Sequence, residues 1–267
     1  MSTLRRSAVL VAALCAAAAH AGLKLNLETK RHGKNSAITM QFEGKNLRAD
    51  VTRDGTAEPG GGFISDGDNK KVVMIDFAKK EYHELTQEQM KQMRAKMDAA
   101  MAQMKEKLAQ LPPEQRKQVE AALGKTKGAY QSAVPDEKYT RASGSKTIAG
   151  YKCELYTVER EGQRVADACV IPWSELKGVD RAQLQQSWDA MKDVWSGFGM
   201  DARAGDRSFD AFKAWGLGQG IPAWRKSVKE GDEEANESTL TSLTQGAIPR
   251  SAFEPPAGFA KKTIDMR

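Results

Sequence analysis

Cys153-Glu-Leu-Tyr-Thr-Val-Glu159, Arg160-Glu-Gly162 and Gln163-Arg-Val-Ala-Asp-Ala-Cys-Val-Ile171 read in succession as a strand, a tight turn and a returning strand. Gly162 supplies the positive φ that a three-residue hairpin loop needs. A turn centred on Glu161 sets Cys153 opposite Cys169. A bulge or a one-strand shift is the alternative register. An antiparallel hairpin of this kind makes the chain a sheet protein, and the neighbouring stretches agree.

Residues 23–29 (Leu-Lys-Leu-Asn-Leu-Glu-Thr) alternate apolar and polar, as do residues 37–42 and, less cleanly, 47–51. Gly33, Gly44 and Gly55 mark the turns between them. Glu58-Pro-Gly-Gly-Gly62 reads as a flexible link. Residues 63–65, 72–77 and 81–85 continue the series, and a short-strand meander is expected. After a polar link, residues 138–142 and 144–148 resume it. Residues 221–228 and 238–244 form a final predicted hairpin.

Two stretches change period. Thr86-x-x-Gln89 is a capping box, flanked by Leu85 and Met90 as a hydrophobic staple. Met90, Met93, Met97, Met101, Met104, Leu108 and Leu111 then recur at spacings of three and four, predicting one amphipathic helix to about Gln110. Pro112-Pro113 ends it, and residues 114–123 suggest a shorter helix. Asp180-x-x-Gln183 is a second capping box, ahead of Leu184, Trp188, Met191, Trp195 and Phe198. Phe209, Phe212 and Trp215 suggest another short helical segment. The predicted class is α+β: a curved antiparallel β-sheet, an unclosed half-barrel, with helices packed on its concave face.

The N-terminus carries an export signal. Arg5 and Arg6 precede an apolar run of about 13 residues, short of the ~20 needed to span a bilayer. Ala19-His20-Ala21 is a small-x-small cleavage site. Residues 1–21 therefore read as a signal peptide, and 22–267 as one domain with helical insertions at about 86–124 and 180–216. Cleavage removes two arginines and no acid, so the net charge of +6 falls by two. So mild a charge, without basic blocks interleaved with aromatics, gives no argument for nucleic acid, and none is expected as a partner. Export to the periplasm leaves Cys153 and Cys169 as an even pair, which predicts one disulfide. Two reduced thiols or a redox pair are the alternative.

Lys146-Thr-Ile-Ala-Gly-Tyr-Lys-Cys153, the Gly220-Ile-Pro222 strand and the Phe253-x-x-Pro-x-Gly-Phe259 tail resemble an uncharacterised bacterial envelope family, a domain of unknown function. That family in turn resembles the LolA and LolB lipoprotein carriers. The resemblance implies an unclosed β-barrel wrapped around helices, with an apolar cavity for acyl chains. It transfers no individual carrier residue.

Catalytic chemistry is sparse. His32 falls in a turn, and His83 in Tyr82-His83-Glu84 has no evident nucleophile or orienting partner. Gly124-Lys125-Thr126 lacks the first glycine and the preceding strand of a phosphate loop. The expectation is a protein that is not an enzyme and carries no cofactor or metal. Methionine is flexible and polarizable, so a methionine stripe accepts varied apolar ligands. Met90, Met93, Met97, Met101, Met104, Trp188, Met191 and Trp195 are the ligand-lining candidates, against the alternative that both stripes simply pack on the sheet. The expected partner is a lipid or a lipidated or hydrophobic polypeptide bound by a monomer, with transient inner- or outer-membrane association. An interaction or stress-sensing module without a cavity is the second reading.

Overall fold

The computed structural model describes residues 22–31, 33–53, 56, 58–110, 112, 115, 137–196, 218–228 and 236–263. The predicted signal peptide, the 114–123 helix apart from residue 115, and the segment containing Phe209, Phe212 and Trp215 lie outside them, as does His32.

Six strands follow one another as antiparallel neighbours: β1 (Gly22–Arg31), β2 (Lys34–Glu43), β3 (Asn46–Arg53), β4 (Gly61–Asp66), β5 (Lys71–Asp76) and β6 (Glu81–Thr86). Helix α1 (Gln87–Ala109) leaves the end of β6. The chain then forms β7 (Glu137–Ile148), β8 (Tyr151–Arg160) and β9 (Gln163–Pro172), followed by helix α2 (Arg181–Ser196). β10 (Gly220–Ser227), β11 (Glu237–Gly246) and the short β12 (Ala260–Lys262) complete it. All twelve strands share one sheet in the order β12-β6-β5-β4-β3-β2-β1-β11-β10-β9-β8-β7. Among the described residues β12 and β7 are its two edges, so the sheet is unclosed.

Two joints depend on residues far apart in sequence. β11 returns to pair antiparallel with β1, from Gly22 opposite Gly246 to Lys30 opposite Glu237. β12 lies parallel to β6, Ala260 opposite Glu81. The tail that leads into it covers the outer face: Phe253 packs on Ile64, Val73 and Ile75, with Ile248 and Phe259 beside it. β4 and β5 are thus covered on both faces, which is why Ile64-Ser65 and Val72-Val73 are apolar or small in succession rather than alternating. Burying Phe253 contributes about 1.5–3 kcal/mol. Glu84 accepts from Lys71 Nζ at 3.4 Å and from Lys261 Nζ, tying β12 to the sheet. The Lys261 hydrogen bond, aided by Lys71, holds the Glu84 carboxyl below the usual carboxylate range.

The Glu58–Gly62 link is in part a strand. Gly61 and Gly62 begin β4, and a Cβ on Gly62 would stand 2.9 Å from the Ala49 carbonyl oxygen and closer still to Asp50 Oδ1. Glycine is needed there for close strand approach, not for flexibility. The two short strands expected at 138–142 and 144–148 are one strand, β7, bulged between Arg141 and Ser145.

The disulfide hairpin also departs from its predicted register. Arg160 pairs with Gln163, so the loop is the two residues Glu161 and Gly162, both left-handed at φ 52° and 78°. Two-residue loops of that geometry match the strand twist. A bulge at Val158/Glu159 then sets Leu155, not Cys153, opposite Cys169. Cys153 reaches Cys169 on the diagonal, with Cα atoms 5.4 Å apart, and the two are bonded. Both are fully buried in the main core. The Cys153→Ser/Cys169→Ser double variant is expected to lose about 3 kcal/mol of stability, the entropy of a loop of this size. Urea unfolding of variant and parent measures it, and a loss under about 1 kcal/mol would contradict the loop-closure argument.

Candidate binding site

The inner face of the sheet is built by register. Leu25, Met40, Ala49 and Phe63 line one row, and Leu23, Phe42, Leu47, Ser65 and Val72 the next. After β9 the chain turns through Trp173–Glu175, and Asp180 caps α2 by accepting from Ala182 N at 2.8 Å and Gln183 N at 3.2 Å. α2 then lies across β2 to β5 and buries Leu184, Trp188 and Met191 in the same cluster as Leu23, Met40 and Phe42. Two turns hold it down. Ser187 Oγ donates to Gly44 O, and a Cβ at Gly67 would come within 2.6 Å of Ala190 Cβ, so helix and turn touch there.

Among the described residues, α2 therefore covers the inner face of β2 to β5. Between the start of α2 and the sheet runs a crevice lined by Leu23, Phe42, Val179, Asp180, Gln183, Leu184 and Gln245. Its volume of about 10 Å³ suits a single water.

α1 behaves differently. Its N-terminus forms the predicted capping box, Thr86 with Gln89. Met90 is fully buried with Val72, Leu85 and Val194, and Gln87 Nε2 donates to Asp193 O of α2 at 3.1 Å. Beyond that turn Met93, Met101 and Met104 are half-buried and Met97 is 52% exposed. β6 has only the three-residue β12 beyond it, so a helix leaving it starts at the rim of the sheet.

The seven ligand-lining candidates whose side chains are described therefore do not share one surface. Trp188 and Met191 are core residues on α2, Met90 belongs to a smaller cluster, and Met93, Met97, Met101 and Met104 follow the rim helix. Trp195 is in the last turn of α2, and its side chain lies outside the described residues. None of the seven candidates whose side chains are described lines that crevice. His83 pairs in register with Met74 and Lys262, and its Nδ1 is buried without a hydrogen-bond partner.

A polar cluster that no sequence pattern announced joins the edge strand to β10. Glu137 Oε1 accepts from Arg160 Nη2 at 2.8 Å and Arg225 Nη2 at 2.9 Å, and Oε2 accepts from Arg225 Nη1 at 2.9 Å. Arg225 Nη1 also donates to the Tyr139 hydroxyl at 3.1 Å. Burial pushes the Tyr139 phenol well above its ordinary pKa, so it stays neutral. Nearby, Lys146 Nζ stands 3.7 Å over the Trp224 ring, and Trp224 Nε1 donates to Glu237 at 2.6 Å. That hydrogen bond, helped by Lys226 and Lys146, holds the Glu237 carboxyl below the usual range.

No protein-family model and no curated protein matches the chain. Among solved structures it is similar to an uncharacterized conserved protein from Thermus thermophilus, with 6% identity over 92% of this chain and 91% of that one and a TM-score of 0.44. It is similar to a chain of the Pseudomonas aeruginosa MucA/MucB complex, with 11% identity over 90% of this chain and 57% of that one and a TM-score of 0.38. A DUF1329 family protein from Desulfovibrio piger shares 7% identity over 89% of this chain and 91% of that one, at a TM-score of 0.28.

Proposed function

We propose that this protein is a non-catalytic, extracytoplasmic binding module that docks an amphipathic polypeptide segment on the methionine face of α1. The observation that carries the reading is the contrast between the two helices. α2 buries Leu184, Trp188 and Met191 against β2 to β5, whereas α1 leaves Met97 half in solvent on a helix about 35 Å long. Thioether side chains repack around different apolar shapes at little cost, which suits a docking face. The α1 sequence carries Lys91, Arg94, Lys96, Lys105 and Lys107 against Glu88, Asp98 and Glu106. A partner with acidic residues beside its apolar face complements that charge. The buried disulfide supports an oxidising compartment, and the export signal supports the periplasm.

The second reading is the carrier implied by the LolA and LolB resemblance, with an acyl chain in the half-barrel. The apolar crevice wall of Leu23, Phe42 and Leu184 favours it, but an acyl chain fits only if α2 moves away.

A labelled amphipathic Leu/Glu peptide separates the two. The protein is expected to bind it, and Met97→Asp to weaken binding about tenfold, about 1.4 kcal/mol, at an unchanged thermal midpoint. Stoichiometric lipid in native mass spectra of periplasmic protein, with peptide binding indifferent to Met97→Asp, would support the carrier instead.

A further inference from the structure

We propose that Met97 is an oxidation site and that its sulfoxide switches off docking on α1, an inference that rests on the docking role assigned to that helix. The methionines are graded by exposure. Met40, Met90 and Met191 are buried in the sheet and helix cores, while Met93, Met101 and Met104 are half-buried along α1. Met97, at the centre of that row, is the described methionine among the exposed large apolar residues, at 52%. Peroxide reaches an exposed thioether directly and a buried one only when the structure opens, so reactivity follows this gradient.

The step balances with hydrogen peroxide as the oxidant. The Met97 sulfur lone pair attacks one peroxide oxygen and the O–O bond breaks. A sulfur–oxygen bond forms, sulfur gives up two electrons, and the departing hydroxide takes the remaining proton to leave as water. The product is a polar, chiral sulfoxide in the middle of an apolar row, which an apolar partner must desolvate. Because Met97 is not part of the core, the fold survives the change. Methionine sulfoxide reductases reverse it.

The experiment is graded peroxide treatment of the folded protein, read by peptide mass spectrometry and by binding of the labelled Leu/Glu peptide. Met97 is expected to oxidise at least about tenfold faster than Met40, Met90 or Met191, as opening-limited reaction of buried groups requires. At the dose that converts Met97 alone, binding is expected to fall about tenfold and to return after reductase treatment. Met97→Leu, compared with its own untreated sample, is expected to lose none of its binding at that dose. Oxidation of Met97 no faster than that of Met40 overturns the proposal. So does equal binding before and after oxidation, or an equal loss in Met97→Leu. Failure of the untreated parent to bind the peptide is a different result: it overturns the docking role and the switch with it.

Discussion

Replacing Glu137 with alanine is expected to lower the unfolding free energy by about 3–5 kcal/mol, the cost of breaking a buried ion pair from one side. The Glu137 side chain is 2% exposed and those of Arg225 and Arg160 are 13% and 26%. The carboxylate accepts from both guanidinium groups at hydrogen-bond distance, and its removal takes an anionic partner from each where little water can replace it. Glu137→Gln keeps the shape and one acceptor but not the charge, so an intermediate loss is expected. Exchanging Glu137 and Arg225 together for Leu and Met removes the charge with the more buried of its two partners and recovers part of the loss, because desolvation of that pair offsets much of its attraction. Urea unfolding gives the free energies. Hydrogen exchange is expected to rise first on β7, which the cluster ties to β10. A loss below about 1 kcal/mol for Glu137→Ala would place this pair with ordinary surface bridges.

Trp188→Ala is expected to cost about 3–5 kcal/mol, as large-to-small core changes at aromatic positions do. Trp188 lies in the main cluster between α2 and the inner face of β1 to β3. α2 is pinned at both Ser187 and Ala190, so it has little freedom to collapse into the space left behind. The vacated volume is apolar and is expected to stay dry and to take up xenon or benzene. Denaturation measures the cost, and ligand-dependent stabilisation detects the cavity. If the variant is nearly as stable as the parent, α2 is a loosely held plug, and the carrier reading gains accordingly.

The parts of the fold that are legible in sequence obey short-range rules. Thr86 and Gln89 sit three apart, and their reciprocal bonds form within one helical turn. Leu85 and Met90 meet as a staple for the same reason. Strand alternation from Leu23 to Phe42 depends on the two-residue pleat, and the Glu161-Gly162 turn on left-handed backbone. Even here the register differs from the expected one, because nothing in residues 153–171 marks the bulge at Val158. Gly61 and Gly62 read as a flexible link because flexibility and close approach call for the same residue.

What the chain determined by itself is therefore its local grammar: the strands, the two capped helices, their apolar stripes and the pairing of two cysteines. Only tertiary structure decided which stripe is core and which is surface. The two stripes are written alike, yet α2 crosses β2 to β5 while α1 departs from the rim at β6. Tertiary structure also decided the β1–β11 joint, the parallel β12 and the meeting of Glu137 with Arg225, 88 positions away. Burial is a property of what lies opposite a residue, and a periodic sequence specifies a face without naming what covers it.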